Sequence, residues 1–330
     1  MLPIYQLGEV DWITTQSLYH GLAQLNEEGI VLCWPATPYV SLGCHQAWED
    51  YNEECGLPVV RRKVGGSLVY LDRRQVFFQI IVNPRRVTGS RTPERWYRYA
   101  LDPVVSYLKR LGLSAELRLP ADILAGGRKI SGNAGGQLED RVVVVGNLLL
   151  DFSVEAMAEV RSAPHDIMRL AFADSMRNHL TTLCELLPDR IWSPERVMRD
   201  LASVFAEQLQ AVPMPFPRER FEHALREAGE KLINREWLTA SRSKRPDALY
   251  SIKVREGIYL RASRDPHFPR LVAEVDVNRC RLLRVWGLPG TYGDLAPLKG
   301  TQEELEAAPL AHGLKQALLD LIGAKERVAR

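Results

Sequence analysis

The sequence predicts an α/β (α+β) chain in two parts: a larger one of buried strands and amphipathic helices, and a small C-terminal α+β part. Three observations carry this reading. Two apolar runs, residues 76–82 and 142–150, are short and continuous in the way of strands buried on both faces. Helical apolar periods recur around them, over residues 10–28, 93–111 and 193–209. Three alternating prolines between 211 and 219 favour an extended, semi-rigid chain, so the expected organisation is a larger domain over 1–212, a Pro-rich linker over 213–219 and a smaller domain over 220–330.

Composition narrows the class. Of the 330 residues, 46% are apolar and 25% charged, with a net charge of +2, so the chain as a whole carries no strong field toward nucleic acid or a membrane surface. Any basic site is local. Five scattered cysteines, Cys33, Cys44, Cys55, Cys184 and Cys280, read as reduced cytosolic thiols rather than a disulfide framework. The histidines show no spacing suited to zinc. With neither a basic-then-apolar leader nor a run of about 18 apolar residues, the expectation is a cytoplasmic protein.

In order along the chain, residues 10–28 read as a helix capped by Asp11, with Trp12, Ile13, Leu18, Leu22, Ala23 and Leu25 on its apolar face. Residues 30–34 and 39–42 flank a turn with two prolines and predict an antiparallel hairpin. Residues 46–57, with Trp48, Glu49, Asp50, Glu53 and Glu54, read as a short acidic helix with a solvated face. Pro84 ends the strand over 76–82, and Gly112 stops the helix that begins at Pro93. Helices are expected over 154–160, 166–176 and 193–209, the last opened by Ser193 and Pro194. Beyond the linker come a helix over 219–233, strands near 250–254, 257–262, 271–277 and 281–286, and helices from about 302 and 312.

Two glycine-rich stretches carry the chemistry. Residues 61–72 read Arg-Arg-Lys-Val-Gly-Gly-Ser-Leu-Val-Tyr-Leu-Asp, a charged approach, a bare-backbone turn and a strand. Residues 122–136 read Asp-Ile-Leu-Ala-Gly-Gly-Arg-Lys-Ile-Ser-Gly-Asn-Ala-Gly-Gly. Each glycine pair can be a plain hairpin turn or a cradle for an anion. If the two stretches are neighbours, Arg61, Arg62 and Lys129 can converge on one phosphate or carboxylate, while Gly65, Gly66, Gly126, Gly127 and Gly132 let it lie against the main chain. Asp72 and Asp122 add carboxylates suited to magnesium held through substrate phosphates. Neither stretch fits the P-loop or dinucleotide fingerprint.

The same residues resemble the lipoate–protein ligase and octanoyltransferase superfamily. Residues 59–72 are similar to its Arg-Arg-x-x-Gly-Gly-Gly-x-Val-x-His-Asp signature, and Gly-Arg-Lys-Ile-Ser-Gly-Asn-Ala to its Gly-[Arg/Lys]-Lys-[Ile/Val]-Ser-Gly-Ser-Ala segment. Residues 39–43, 146–150 and 180–188 match three further segments in the family's order. The resemblance implies a biotin/lipoate-ligase-like catalytic domain, with mixed sheets flanked by helices. It also implies an ATP-dependent lipoate–protein ligase, which makes acyl-AMP from lipoate or octanoate and passes the acyl group to a lysine of a lipoyl-carrier domain, such as a glycine-cleavage H-like or dehydrogenase E2-like domain. ATP and Mg2+ are the implied cofactors, and the protein is read as a monomer without nucleic-acid or membrane partners.

Carried over, Lys129 is the catalytic residue that holds the carboxylate and then the acyl phosphate. Arg61, Arg62, Gly65, Gly66, Ser67, Tyr70, Asp72, Gly127, Ser131, Gly132, Gly146 and Asn147 line the substrate and nucleotide path, and Asp122 sits near the metal and phosphates. The departures are Ser67 for the third glycine, Leu71 for the histidine, Ala121 for a polar residue, and Val144-Val145-Gly146-Asn147 for the usual His-His-Gly-Thr. Two other readings stand beside the ligase: an ATP-independent acyltransferase, working through a cysteine thioester such as one on Cys184 or by direct transfer, and a non-enzymatic acyl sensor.

Overall fold

The computed structural model describes residues 1–87, 92–240, 250–288 and 299–323. It divides into two compact units, one of Met1–Val160 with Leu180–Arg242 and one of Arg161–His179 with Ser243–Arg330.

The first unit is built on an eight-stranded sheet. Its strands are β1 (Leu2–Val10), β2 (Gly29–Pro35), β6 (Gln75–Val82), β7 (Ala115–Arg118), β8 (Asp122–Ala125), β9 (Arg128–Leu138), β10 (Arg141–Leu149) and β11 (Ala211–Pro213). Their order is β11-β1-β2-β6-β10-β9-β8-β7, parallel from β11 to β2 and antiparallel from there on. A three-stranded sheet, β4-β3-β5, is made of β3 (Tyr39–Leu42), β4 (Val59–Arg61) and β5 (Val69–Leu71). The helices are α1 (Trp12–Gln24), α2 (Pro93–Arg110), α3 (Val154–Glu159), α5 (Leu183–Leu186), α6 (Pro194–Leu209), α7 (Arg218–Ile233) and α8 (Arg235–Thr239).

The apolar runs behave as their composition requires. Every residue of β6 is buried, and its even-numbered side chains Val76, Phe78, Ile80 and Val82 pack with α2 and α6. Its odd-numbered Phe77 and Ile81 pack on the other face with α1, α7 and the small sheet. Asp11 caps α1 through Ile13 N, and Ser193 caps α6 through Arg196 N with Pro194 in the first turn, as their sequences predict.

Three expectations are corrected. The hairpin over 30–34 and 39–42 does not form, because β2 is paired on one side with β1 and on the other with β6, so β3 leaves to pair with β4 and β5. The strand β1, which opens the chain, has no counterpart in the sequence reading. The acidic helix over 46–57 is two short 3₁₀ turns, Trp48–Asp50 and Glu53–Cys55, with Asp50 buried. The Pro-rich stretch runs inside the first unit: Ala211, Val212 and Pro213 pair with β1, and α7 packs on α1, where a Cβ at Gly21 would meet Leu225 at 2.9 Å.

The second unit contains α4 (Asp166–His179) and a five-stranded antiparallel sheet of β12 (Ser251–Arg255), β13 (Ile258–Ala262), β14 (Val272–Asp276), β15 (Arg281–Trp286) and β16 (Gly300–Thr301). α9 (Gln302–Ala307) and α10 (His312–Gly323) complete it, and its core gathers Leu271, Ala273, Leu282, Leu314, Leu318 and Leu321. Buried Glu274 joins α4 to the sheet, accepting from Ser175, from His179 at 3.0 Å and from Arg284 at 2.8 Å.

Candidate functional site

The site begins with one extra residue in β9. Gly126 and Gly127, with φ of +57° and +79°, make the two-residue turn whose twist suits a hairpin. Pairing then runs Ala125 with Arg128 and Leu124 with Lys129, but resumes as Ile123 with Ser131 and Asp122 with Gly132, leaving Ile130 unmatched. Because strand side chains alternate between faces, one inserted residue turns Lys129 onto the face of Gly132. There Lys129 Nζ lies 2.7 Å from Asp122 Oδ1, with the two side chains 21% and 7% exposed. A Cβ added at Gly132 would stand 3.4 Å from Lys129 Cε and 3.6 Å from Nζ, so the bare strand forms the floor beneath the ammonium arm. The backbone of Lys129 is fixed by Thr181 N, which donates to its carbonyl at 2.9 Å, and Arg128 is anchored on Glu185 and the Leu180 carbonyl.

The glycine turn lies over the same floor. Gly66 has φ +91°, and a Cβ there would lie 2.6 Å from Arg62 Nη2 and 3.5 Å from the Cβ of Ala134. Ala134 is two residues beyond Gly132 on β9, about 7 Å along the strand. The groove between the turn and the Lys129–Asp122 pair therefore has Gly132 and Ala134 as its base. The turn is held from below: a Cβ at Gly43 would fall 1.9 Å from the Gly66 carbonyl oxygen, so two backbones touch here. Gly65 has open space beside it, and Gly127 stands exposed at the hairpin tip.

The two arginines are placed differently from the expectation that both line the ligand path. Arg62 is buried and donates to the Gly65 carbonyl at 3.0 Å, the Ser41 carbonyl at 2.9 Å, Ser41 Oγ at 3.1 Å and the Ser67 carbonyl at 2.8 Å. Burial pulls its pKa below the usual arginine value. Arg61 is fully buried, donating from Nε to the Leu238 carbonyl of α8 at 2.9 Å and from Nη1 to the Gln46 carbonyl. Both guanidinium groups thus satisfy main-chain carbonyls that shape the turn. His20 does the same for its outer limb, accepting from Lys63 N at 3.1 Å. Burial holds its pKa down to about 3, outweighing the bond to the Gln16 carbonyl.

Of the remaining expected residues, Ser131 and Gly146 face away from the groove. Gly146 pairs with Asn133, whose Oδ1 would sit 1.9 Å from a Cβ at 146, and Ser131 Oγ donates to that same oxygen at 3.1 Å. Asn133 Nδ2 in turn holds the carbonyl of Ala121, the residue before Asp122, at 2.8 Å. Asn147 faces the groove, its Oδ1 accepting from Gly132 N at 3.1 Å. Asp72 is buried and forked by Arg74 at 3.0 and 2.9 Å, and burial and the Asp72 charge raise the Tyr70 phenol above its usual range. The sequence reading missed Gln75, Asn133 and Ser41. Gln75 and Gln79 were the available signal, two amides on one face of an otherwise apolar strand.

Burial raises Cys33 to about 12, and Cys184, exposed at the start of α5, is also raised, by burial and by Asp151. Among the described residues, no three His, Cys, Asp or Glu side chains cluster closely enough to hold a metal by themselves. No described helix is long and apolar enough to cross a membrane.

The chain is 30% identical over 174 residues to the lipoate-protein ligase LplJ of Bacillus subtilis, a match that spans 51% of this chain and 51% of that protein's length. It is 28% identical over 207 residues to the octanoyltransferase LipM of Kyrpidia tusciae, covering 53% of this chain and 73% of that one. In fold it is similar to the bipartite lipoate protein ligase of Thermoplasma acidophilum, studied with its E2 lipoyl domain, at a TM-score of 0.65 and 20% identity over 74% of this chain and 99% of that chain. Residues 9–206 match the model of the lipoyl protein ligase A/B catalytic domain, and the chain belongs to that family.

Proposed function

We propose that the protein is an ATP-dependent lipoate–protein ligase acting in the cytoplasm as a monomer. It condenses lipoate or octanoate with ATP and transfers the acyl group to a lysine of a lipoyl-carrier domain, of the glycine-cleavage H-like or dehydrogenase E2-like kind. The observation that carries this reading is the Lys129–Asp122 pair standing over Gly132, beside a glycine turn laid across Ala134. In the first step a carboxylate oxygen attacks the α-phosphorus of ATP, and the bond to the pyrophosphate oxygen breaks. Lys129 follows the carboxylate as it becomes an acyl phosphate, a task suited to a compact, mobile point charge. In the second step the acceptor amine attacks the acyl carbonyl, AMP leaves and the amine loses a proton.

Asp122 is the carboxylate that fits magnesium, which is usually held by one or two carboxylates together with substrate phosphates. The arginines contribute by holding the turn: Arg62 fixes the carbonyls of Gly65 and Ser67, which directs their peptides around the groove. Gly65, Gly66, Ser67, Gly132 and Asn147 line the path, and Tyr70 on β5 and Asp72 just after it support it.

Against a transferase working through a Cys184 thioester stands the direction of the Cys184 shift, since the nucleophile there would be a thiolate. The test incubates purified protein with octanoate or lipoate, magnesium ATP and a lipoyl domain, and weighs the acceptor by mass spectrometry. Acylation that requires ATP, vanishes in Lys129→Ala and persists in Cys184→Ala is the expected result. Acylation from acyl carrier protein without ATP would overturn the proposal.

A further inference from the structure

A line of side-chain amides runs behind the groove with only one possible direction. Gly132 N donates to Asn147 Oδ1 at 3.1 Å, Asn147 Nδ2 donates to Gln75 Oε1, and Gln75 Nε2 donates to the Tyr70 carbonyl at 3.3 Å and lies 3.5 Å from Asp72 Oδ1. A carboxamide can present either its oxygen or its nitrogen, so a chain of two has an orientation that its ends decide. Here one end is a backbone N–H, which only donates. The other end is a carbonyl and a carboxylate forked by Arg74, which only accept. Both amides are therefore fixed, with the Asn147 oxygen toward Gly132 and the groove.

That oxygen also faces the reacting residue. A Cβ at Gly132 would lie 3.4 Å from Asn147 Oδ1 and 3.6 Å from Lys129 Nζ, so both groups stand over the same backbone atom. Gln75 is itself buried and sits across two strands from Lys129, on β6, with β10 between them and β9. Resting on the ligase reading above, we propose that Gln75 is a positioning residue: through Asn147 it fixes the Gly132 peptide and the acceptor face that Lys129 meets. A reversed Asn147 amide would set its NH2 group against the Gly132 N–H. The cost of that reversal is what Gln75 prevents.

The experiment uses the full chain. Gln75→Glu keeps an acceptor for Asn147 but removes the donor to Tyr70 and Asp72, setting two carboxylates face to face. Adding Asp72→Asn supplies a donor from the other side and restores the polarity, at the expense of one contact to Arg74 N. Hydrogen exchange of the Gly132 amide and the side-chain NH2 resonances of Asn147 are read by NMR, and single-turnover acyl-AMP formation with octanoate is read beside them. Gln75→Glu is expected to speed Gly132 exchange and slow adenylation by about tenfold or more with the octanoate KM within about threefold, a loss confined to the transition state. The double variant is expected to recover the slow Gly132 exchange. Gly132 exchange unchanged in Gln75→Glu, or a double variant no better than the single one, would overturn the inference. The Gln75→Glu, Asp72→Asn pair preserves volume, and Gln75→Met serves as a second probe that removes the acceptor for Asn147 as well as the donor to Tyr70 and Asp72. If the wild-type chain forms no acyl-AMP, the ligase reading fails, while the exchange data still decide the amide line.

Discussion

Arg62→Lys separates a structural arginine from a phosphate ligand. The guanidinium makes four hydrogen bonds, to the carbonyls of Ser41, Gly65 and Ser67 and to Ser41 Oγ, from a side chain that is buried. A lysine ammonium is a point donor and cannot span acceptors arranged for a planar fork. At least two of the three carbonyls then lose their partner, at about 1.5–3 kcal/mol for each bond to a charged group. The expected loss is about 3–6 kcal/mol, a large part of the roughly 5–15 kcal/mol that holds a domain together. Urea unfolding of the full chain measures it as a lower midpoint with unchanged slope, and the ATP KM should move little under conditions where the variant stays folded. A variant within about 1 kcal/mol of wild type whose ATP KM rose tenfold or more would refute this reasoning and return Arg62 to the nucleotide.

Two pH dependences follow from buried groups. His20 has its folded pKa pushed down to about 3 by burial, below the ordinary 6.5, so its stabilising neutral form is fully present above about pH 6.5. Stability should fall as pH drops from there toward 3, by up to about 1.4 kcal/mol per pH unit, and His20→Gln should flatten this part of the profile in a pH series of urea melts. Burial works to raise Glu274, but hydrogen bonds from Arg284, His179 and Ser175 overcome it and hold the carboxyl at about 2. Its contribution, about 3 kcal/mol, is present above about pH 4.5 and is lost as pH falls toward 2, and an acid titration of Glu274→Gln against wild type should show that loss missing.

Elements defined by local pattern were legible, and elements defined by pairing were not. Residues 76–82, and 142–150 except at half-buried Val145, Gly146 and Asn147, are buried and say so in their composition, and Asp11 and Ser193 mark helix starts through side chains that satisfy nearby N–H groups. The partners of β2 are decided by β1 and β6, far away in sequence, and the proline turn after β2 looks the same whether the next strand folds back or joins another sheet. The glycine-rich stretches announced the groove. The orientation of Lys129 was hidden, because it depends on whether Ile130 is matched by a residue of β8, and no property of Ile130 itself says so. Arg61 and Arg62 carry the charge of an anion site in the sequence, yet the carbonyls of Leu238, Gln46, Ser41 and Ser67 claim them.

The departures from the family signature divide on the same physical line. Leu71 replaces a histidine at a buried position paired with Tyr39 and packed in the core with Phe77 and Val60, so the substitution exchanges a polar ring that would need partners for one that needs none. Ser67 gives the turn its carbonyl, which Arg62 holds, and that service is independent of the side chain. Asn147, in place of threonine, is different, since its carboxamide binds Gly132 with one end and Gln75 with the other, spanning a gap that a hydroxyl on a shorter arm would leave open. A half-buried amide whose two ends are both claimed adds direction as well as energy, and the groove face beside Lys129 inherits that direction. Asn147 is thus the departure that is tied to a buried partner, and Gln75 is that partner.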